Sequence, residues 1–102
     1  MTEVLNRTAD LIYSLMTMTS AKQVGYTSVR IMDAIQGEDV QNQILGLAAT
    51  LVILLNHYDL SHTDALGIAD NIVYSDENNN MNLEFKAIKK YMKSEWELLN
   101  NM

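Results

Sequence analysis

The chain has 102 residues, 48% of them hydrophobic, a formal net charge of −6 and no cysteine. This size and composition predict one folded domain, residues 1–102, and argue against a disordered chain. The lack of cysteine excludes disulfides and thiolate metal sites, and the negative charge disfavours nucleic acid and anionic lipid as partners. The N-terminus has no signal-peptide pattern, so we expect a cytoplasmic protein.

Basic residues are missing from the middle of the chain. No lysine or arginine lies between Arg30 and Lys86, whereas nine carboxylates do. The same segment holds the most apolar run, Ile44–Leu55. We therefore expect this segment to build the core and to leave an acidic rim at the surface.

The first two helices are predicted from apolar spacing and from an N-terminal cap. Ser20 and Gln23 match a capping box, which places the start of the second helix near Ala21. Gly37 is positioned to end that helix in a left-handed conformation. In the first helix, the apolar residues recur mainly at steps of three and four residues: Val4, Leu5, Leu11, Ile12, Leu15 and Met18.

A third helix is predicted over approximately residues 40–57. Glu38 and Asp39 precede it, where carboxylates favour the positive end of a helix. After Ile44 it is apolar on nearly all sides, which is typical of a central helix covered by its neighbours. The twelve residues from Ile44 to Leu55 are too few to span a bilayer, so no membrane partner is expected.

Two further helices complete an all-α fold. Ser61 is a candidate N-cap for the fourth helix, with Asp64 as its reciprocal partner, and the last helix is predicted from about Leu83 to Leu99. Together the segments predict a compact bundle of about five helices around the central apolar helix. The inner face of the fourth helix is expected to contain Ala65, Leu66, Ala69, Ile72 and Val73.

Two groups of residues are weak candidates for binding a metal. Asp76, Asn78 and Asn80 match the first three ligand positions of a calcium-binding EF-hand loop, but the required glycine and glutamate are absent. A solvated turn between helices is the preferred interpretation of the loop. The second group has poor spacing for zinc, and helix ends account for its members, which are His57, Asp59, His62 and Asp64.

The helical hairpin from Leu55 to Ile72 resembles a helix-turn-helix only in its rhythm. Its second helix carries Asp64 and Asp70, and the hairpin has no lysine or arginine, so sequence-specific DNA binding is not expected. The basic cluster lies on the last helix, where a solvated face is the simpler interpretation: Lys86, Lys89, Lys90 and Lys93.

Catalytic chemistry has little support, so we predict a non-enzymatic protein without a cofactor. The glycines are isolated, and no nucleophile–base pair stands out. Methionines 16, 18, 32 and 92 fit a core or an adaptable contact surface better than a cofactor site.

Three functional hypotheses follow. The preferred one is a small acidic helical interaction module, an accessory or regulatory protein that forms a homodimer and binds another protein. The alternatives are an acidic inhibitor that mimics the charge of nucleic acid and a small metal-dependent enzyme using the cluster from His57 to Asp64. Four aromatic residues exceed the needs of the core and are candidate interface anchors: Tyr13, Tyr26, Tyr91 and Trp96.

Overall fold

The structure, a computed structural model, describes the backbone of residues 2–74 and 82–100 and the side chains of residues 8–74 and 82–95. Across these described residues, the predicted all-α fold with five helices is confirmed. The third helix has the predicted bounds, and the others begin or end within a few residues of their predicted limits. The helices are α1 (Thr2–Met18), α2 (Ala21–Ile35), α3 (Val40–His57), α4 (His62–Tyr74) and α5 (Leu83–Asn100).

The start of α2 is fixed by the predicted capping box. The backbone N–H of Gln23 donates to Ser20 Oγ at 3.1 Å, and the Ser20 N–H donates to Gln23 Oε1 at 3.3 Å. Two backbone donors at the helix start are thereby satisfied by side chains. Because both bonds join residues only three positions apart, residues 20–23 predict the start of α2 from the sequence alone.

The prediction that Gly37 ends α2 in a left-handed conformation is wrong. Gly37 has no positive φ, and the C-cap residue, Gln36, is right-handed at φ −60°. A side chain from α3 caps the helix instead: Gln43 Nε2 donates to the carbonyl of Ile35 at 3.1 Å and to that of Glu38 at 3.0 Å. Because Gln43 satisfies these carbonyls, the turn does not require a left-handed glycine.

The end of α3 is a Schellman motif built around Asp59. Asp59 has φ 57°, its N–H donates to the carbonyl of Asn56, and the Leu60 N–H donates to that of Leu55 at 2.9 Å. Leu55 and Leu60 are both buried in one apolar cluster, the hydrophobic contact that accompanies this motif. The motif turns the chain sharply into α4.

The fourth helix starts as predicted, but its cap has a different second partner. The N–H of Asp64 donates to Ser61 Oγ at 3.2 Å, as an N-cap requires. The Ser61 N–H, however, donates to the hydroxyl of Tyr13 on α1 at 2.6 Å and not to the Asp64 side chain. A tertiary contact therefore replaces the reciprocal half of the predicted local motif.

The helices pack in two groups. Helix α2 packs most extensively on α5, and α4 contacts both α1 and α2. The buried cluster joins α1, α3, the turn after it and α4 through Ala9, Leu55, Leu60 and Ala65. Partly buried side chains surround it: Ile12, Tyr13, Met16 and Leu51.

The prediction that neighbouring helices cover α3 is wrong. Leu55 is its one buried residue, and Ile44, Leu45 and Ile53 are 61%, 66% and 70% exposed. The predicted inner stripe of α1 is also displaced, because Leu11, Leu15 and Met18 are exposed while Ala9 is buried. Periodicity identified apolar surface on these helices but not which part of it the monomer buries.

The dimensions of the bundle reflect this exposed surface. It measures 54 × 32 × 20 Å, and its radius of gyration of 15.8 Å exceeds the roughly 13 Å expected for a domain of this length. The chain exposes 8027 Å², against about 5,800 Å² for a typical folded monomer of its mass. The apolar surface of α3 therefore stands open along much of the bundle.

Candidate interaction surface

One side of α3 forms a continuous apolar stripe, here called the groove face. Its members follow one another at steps of four, three, four, three and four residues: Val40, Ile44, Leu47, Leu51, Leu54 and Tyr58. At 3.6 residues per turn, such steps keep all six side chains on one side of the helix. Two adjoining grooves run along this face.

The first groove, of about 360 Å³, lies between α3, α2 and α5. Val40, Ile44 and Leu47 of α3 line it together with Met32 of α2 and Met92 of α5. Leu47 is 40% exposed, so the groove leaves much of this central leucine in water. An apolar side chain from a partner would remove that surface from water, which is favourable.

The second groove, of about 580 Å³, continues along the C-terminal half of α3 between α1 and α4. Leu51, Leu54 and Tyr58 belong to the groove face and line it. Leu54 is 52% exposed, although its position on the helix is favourable for a core. The walls come from Ile12 and Met16 of α1 and from Ala65, Leu66 and Ala69 of α4.

The methionines in the walls agree with the adaptable contact surface predicted for them. Met16 lines the second groove, and Met32 and Met92 line the first. Met18 lines neither of these two grooves and is highly exposed on α1. An unbranched, polarisable side chain can adjust to several partner shapes, which suits a binding groove.

The charges near the grooves are negative. Glu38 and Glu95 line the first groove, and neither lysine nor arginine is found among the described residues that line the two grooves. Asp39 is the N-cap of α3, and Asp59 follows its last turn. The groove face is therefore an apolar strip with carboxylates at its ends.

The predicted aromatic anchors that the structure describes differ in their surroundings. Tyr13 is half-buried against the core, and its hydroxyl accepts the Ser61 N–H; the Tyr91 hydroxyl donates to the carbonyl of Gln36 at 3.3 Å. Tyr26 is 55% exposed. Trp96 lies on α5, but its side chain is outside the described residues. Tyr58, which the sequence did not single out, lines the second groove.

The residues of the second metal candidate are each engaged locally. His62 Nε2 lies 3.1 Å from Asn56 Oδ1, the His57 ring packs edge-on against Tyr58, and Asp59 occupies the left-handed turn. The backbone N–H of Asp64 donates to Ser61 Oγ, the N-cap of α4. Within the described ranges no three histidine or carboxylate side chains converge as a metal site would require. The other candidate, Asp76, Asn78 and Asn80, lies outside the described residues.

The lysines of α5 are exposed, and one of them has an intramolecular partner. Lys89 Nζ lies 4.4 Å from the centre of the Tyr74 ring, a cation–π contact between α5 and α4. Lys86, Lys90 and Lys93 are exposed on the same helix. The structure thus agrees with a solvated helix face that has one stabilising contact.

The carboxylates near α3 are spread along the bundle. Asp39 begins α3 and Asp59 follows it, and a helix of its 18 residues is about 27 Å long. Asp64 and Glu84 lie in the first turns of α4 and α5, where the helix dipole favours them. Mimicry of nucleic acid requires a dense row of charge, which these positions do not supply.

By length and composition alone, α3 is apolar enough to cross a membrane. Its uninterrupted apolar run is shorter than the helix, since glutamine and asparagine occupy positions 41–43. The twelve residues from Ile44 to Leu55 rise about 18 Å, against a hydrocarbon thickness of about 30 Å. Interfaces between permanently associated subunits are also hydrophobic, and an apolar helix of this kind is common in them.

No protein-family model, curated protein or solved structure matches this chain significantly.

Proposed function

We propose that this chain is a small, acidic, non-enzymatic interaction module that works in the cytoplasm by binding another protein through the groove face. One observation carries the proposal. The six apolar positions of the groove face line two adjoining open grooves, although this is the most apolar helix of the chain. A contiguous exposed apolar strip of this kind marks an interaction site in a soluble protein.

The chemistry of the face supports a helical occupant. A groove floored by residues at heptad spacing accepts an apolar stripe with the same repeat, because the side chains of one helix then fit between those of the other. The grooves are walled by flexible methionines and have few polar groups. Specificity would come from the carboxylates Glu38 and Glu95 at the first groove.

Capture from a lysate of the source organism tests the proposal with a matched pair of variants. Leu47→Asp places a charge in the middle of the groove face, whereas Ile53→Asp makes the same change on another side of α3, where residue 53 is 70% exposed. We expect wild type and Ile53→Asp to retain the same proteins, and Leu47→Asp to lose them by roughly 30-fold or more.

Both variants must first show the wild-type circular dichroism spectrum and a cooperative thermal transition. Retention of the same proteins by folded Leu47→Asp would exclude the groove face as the binding surface. If wild type captures neither another protein nor further copies of itself, the proposed function is wrong.

A further inference from the structure

We infer that the occupant of the groove face is a second copy of this chain, whose α3 lies antiparallel to the first across a two-fold axis. The inference rests on the proposed function, because it names the partner of the same surface. Three observations support it: the surface area left open, the order of the apolar positions along α3, and the small buried core.

The area left open is the size that a permanent dimer buries. The chain exposes roughly 2,200 Å² more than a typical folded monomer of its mass. Obligate homodimers bury about 2,000–5,000 Å² in total, or about 1,000–2,500 Å² from each subunit. This whole-chain excess falls within that range, and the exposed apolar side chains of α3 contribute to it.

The spacing of the groove face reads the same in both directions. Steps of four, three, four, three and four residues are symmetric about the level of Ala49. In an antiparallel pair centred there, Leu47 lies opposite the partner subunit's Leu51, and Ile44 lies opposite the partner subunit's Leu54. Val40 then meets the partner subunit's Tyr58, so all six positions find an apolar counterpart.

The core of the isolated chain is small for its length. Among the described residues the buried hydrophobic side chains are Ala9, Leu55, Leu60, Ala65 and Phe85, two of which are alanines. Leu51 and Leu54 lie beside this cluster and line the second groove. A second α3 along that groove would extend the cluster into a core shared by two subunits, as in obligate dimers.

Charge distinguishes a second copy from a foreign basic helix. Each copy has a net charge of −6 and carries Glu38 and Glu95 at the first groove, so two copies repel one another. Added salt screens that repulsion and strengthens the dimer. A basic amphipathic helix would instead be attracted to the carboxylates and would bind less tightly as salt is raised.

Sedimentation velocity of the full chain over a range of concentrations, in about 0.05 M and about 0.5 M salt, tests the inference. We expect wild type and Ile53→Asp to form dimers that tighten with salt. Leu47→Asp, present twice in each dimer, should raise the dissociation constant by roughly 100-fold or more, because both central contacts are lost.

Disulfide crosslinking tests the antiparallel arrangement. The chain has no cysteine of its own, so only the introduced cysteines can form a disulfide. An equimolar mixture of Ile44→Cys and Leu54→Cys chains should form an intermolecular disulfide under mild oxidation, and neither variant alone should do so efficiently. Self-crosslinking of Ile44→Cys alone would indicate a parallel pair and would overturn the arrangement, since identical positions then face each other.

Other results would overturn the inference, and they show separately whether the proposed function also fails. A wild-type chain that stays monomeric at all concentrations but captures a different protein through Leu47 would refute the second copy and retain the interaction module. Monomeric chains that float with phosphatidylcholine vesicles, with loss in Leu47→Asp, would assign the face to a membrane and refute both. A dimer unaffected by Leu47→Asp would place the dimer interface elsewhere.

Discussion

Gly25 is the buried residue of α2, and its missing side chain allows α5 to approach. A Cβ at this position would lie 2.6 Å from Asn82 Oδ1 and 2.9 Å from Glu84 Cβ. The same Asn82 oxygen accepts the backbone N–H of Glu84 at 3.0 Å, so it caps the start of α5. No local pattern in the sequence shows what another helix brings to this glycine.

Gly25→Ala is expected to destabilise the protein by about 1–3 kcal/mol, because Asn82 or the whole start of α5 must move. Helix propensity alone predicts the opposite sign, a gain of about 1 kcal/mol. Urea unfolding of wild type and Gly25→Ala gives the change in the free energy of unfolding, and its sign shows which effect is larger.

Gly67→Ala is the matched control for that prediction. Gly67 lies within α4, and a Cβ there has no neighbour within 4 Å. The propensity gain of roughly 0.5–1 kcal/mol should therefore appear undiminished. Equal stabilisation by both substitutions would show that α5 does not pack on Gly25 as described.

At the scale of the helices, local chemistry set most boundaries and tertiary contacts set the exceptions. The capping box at Ser20 and the turn after His57 were predicted because their partners are at most five residues apart. Gln43 and Tyr13 were not assigned to caps, because they reach carbonyl and amide groups of other helices or turns. Spacing rules do not report such contacts, which depend on how the chain folds back.

The Tyr13 hydroxyl is a link between α1 and the start of α4. Tyr13→Phe removes the acceptor for the Ser61 N–H and keeps the ring in the core, so we expect a loss of about 0.5–1.5 kcal/mol. Thermal unfolding compared with Tyr26→Phe measures it, because Tyr26 is an exposed tyrosine on α2. Identical melting of the two variants would indicate that water replaces the bond without loss.

The predicted metal residues and the groove face show the same difference between local contacts and tertiary packing. His57, Asp59, His62 and Asp64 are close in sequence because they bracket a helix–turn–helix junction, and the structure shows each in a local contact. The groove face could have been found from its heptad spacing. The sequence does not single out this face, because α3 has apolar residues on nearly all its sides. Burial on every side is therefore the simpler expectation.

At the scale of the whole molecule, the proposed dimer would link stability to association. If folding is completed only in the dimer, the melting temperature must rise with protein concentration. A tenfold increase should raise it by roughly 3–5 °C, since mass action adds about 1.4 kcal/mol per dimer. Differential scanning calorimetry at two concentrations makes the measurement.

Leu47→Asp supplies the control for this effect. The variant should melt at a lower temperature than wild type at each concentration, because its association is weakened. A concentration-independent melting temperature in wild type would mean that the isolated chain is the stable unit and that its exposed α3 contributes nothing to folding.

The sequence by itself determined the all-α class, the five helices and most of their ends, because hydrogen bonds and caps act within a few residues. The tertiary structure decided which apolar surfaces are buried. Hydrophobic burial has no direction, so an α3 that is apolar on almost every side gives no sign of which side its own chain covers. Only the packing of α1, α2, α4 and α5 shows that the groove face is left open.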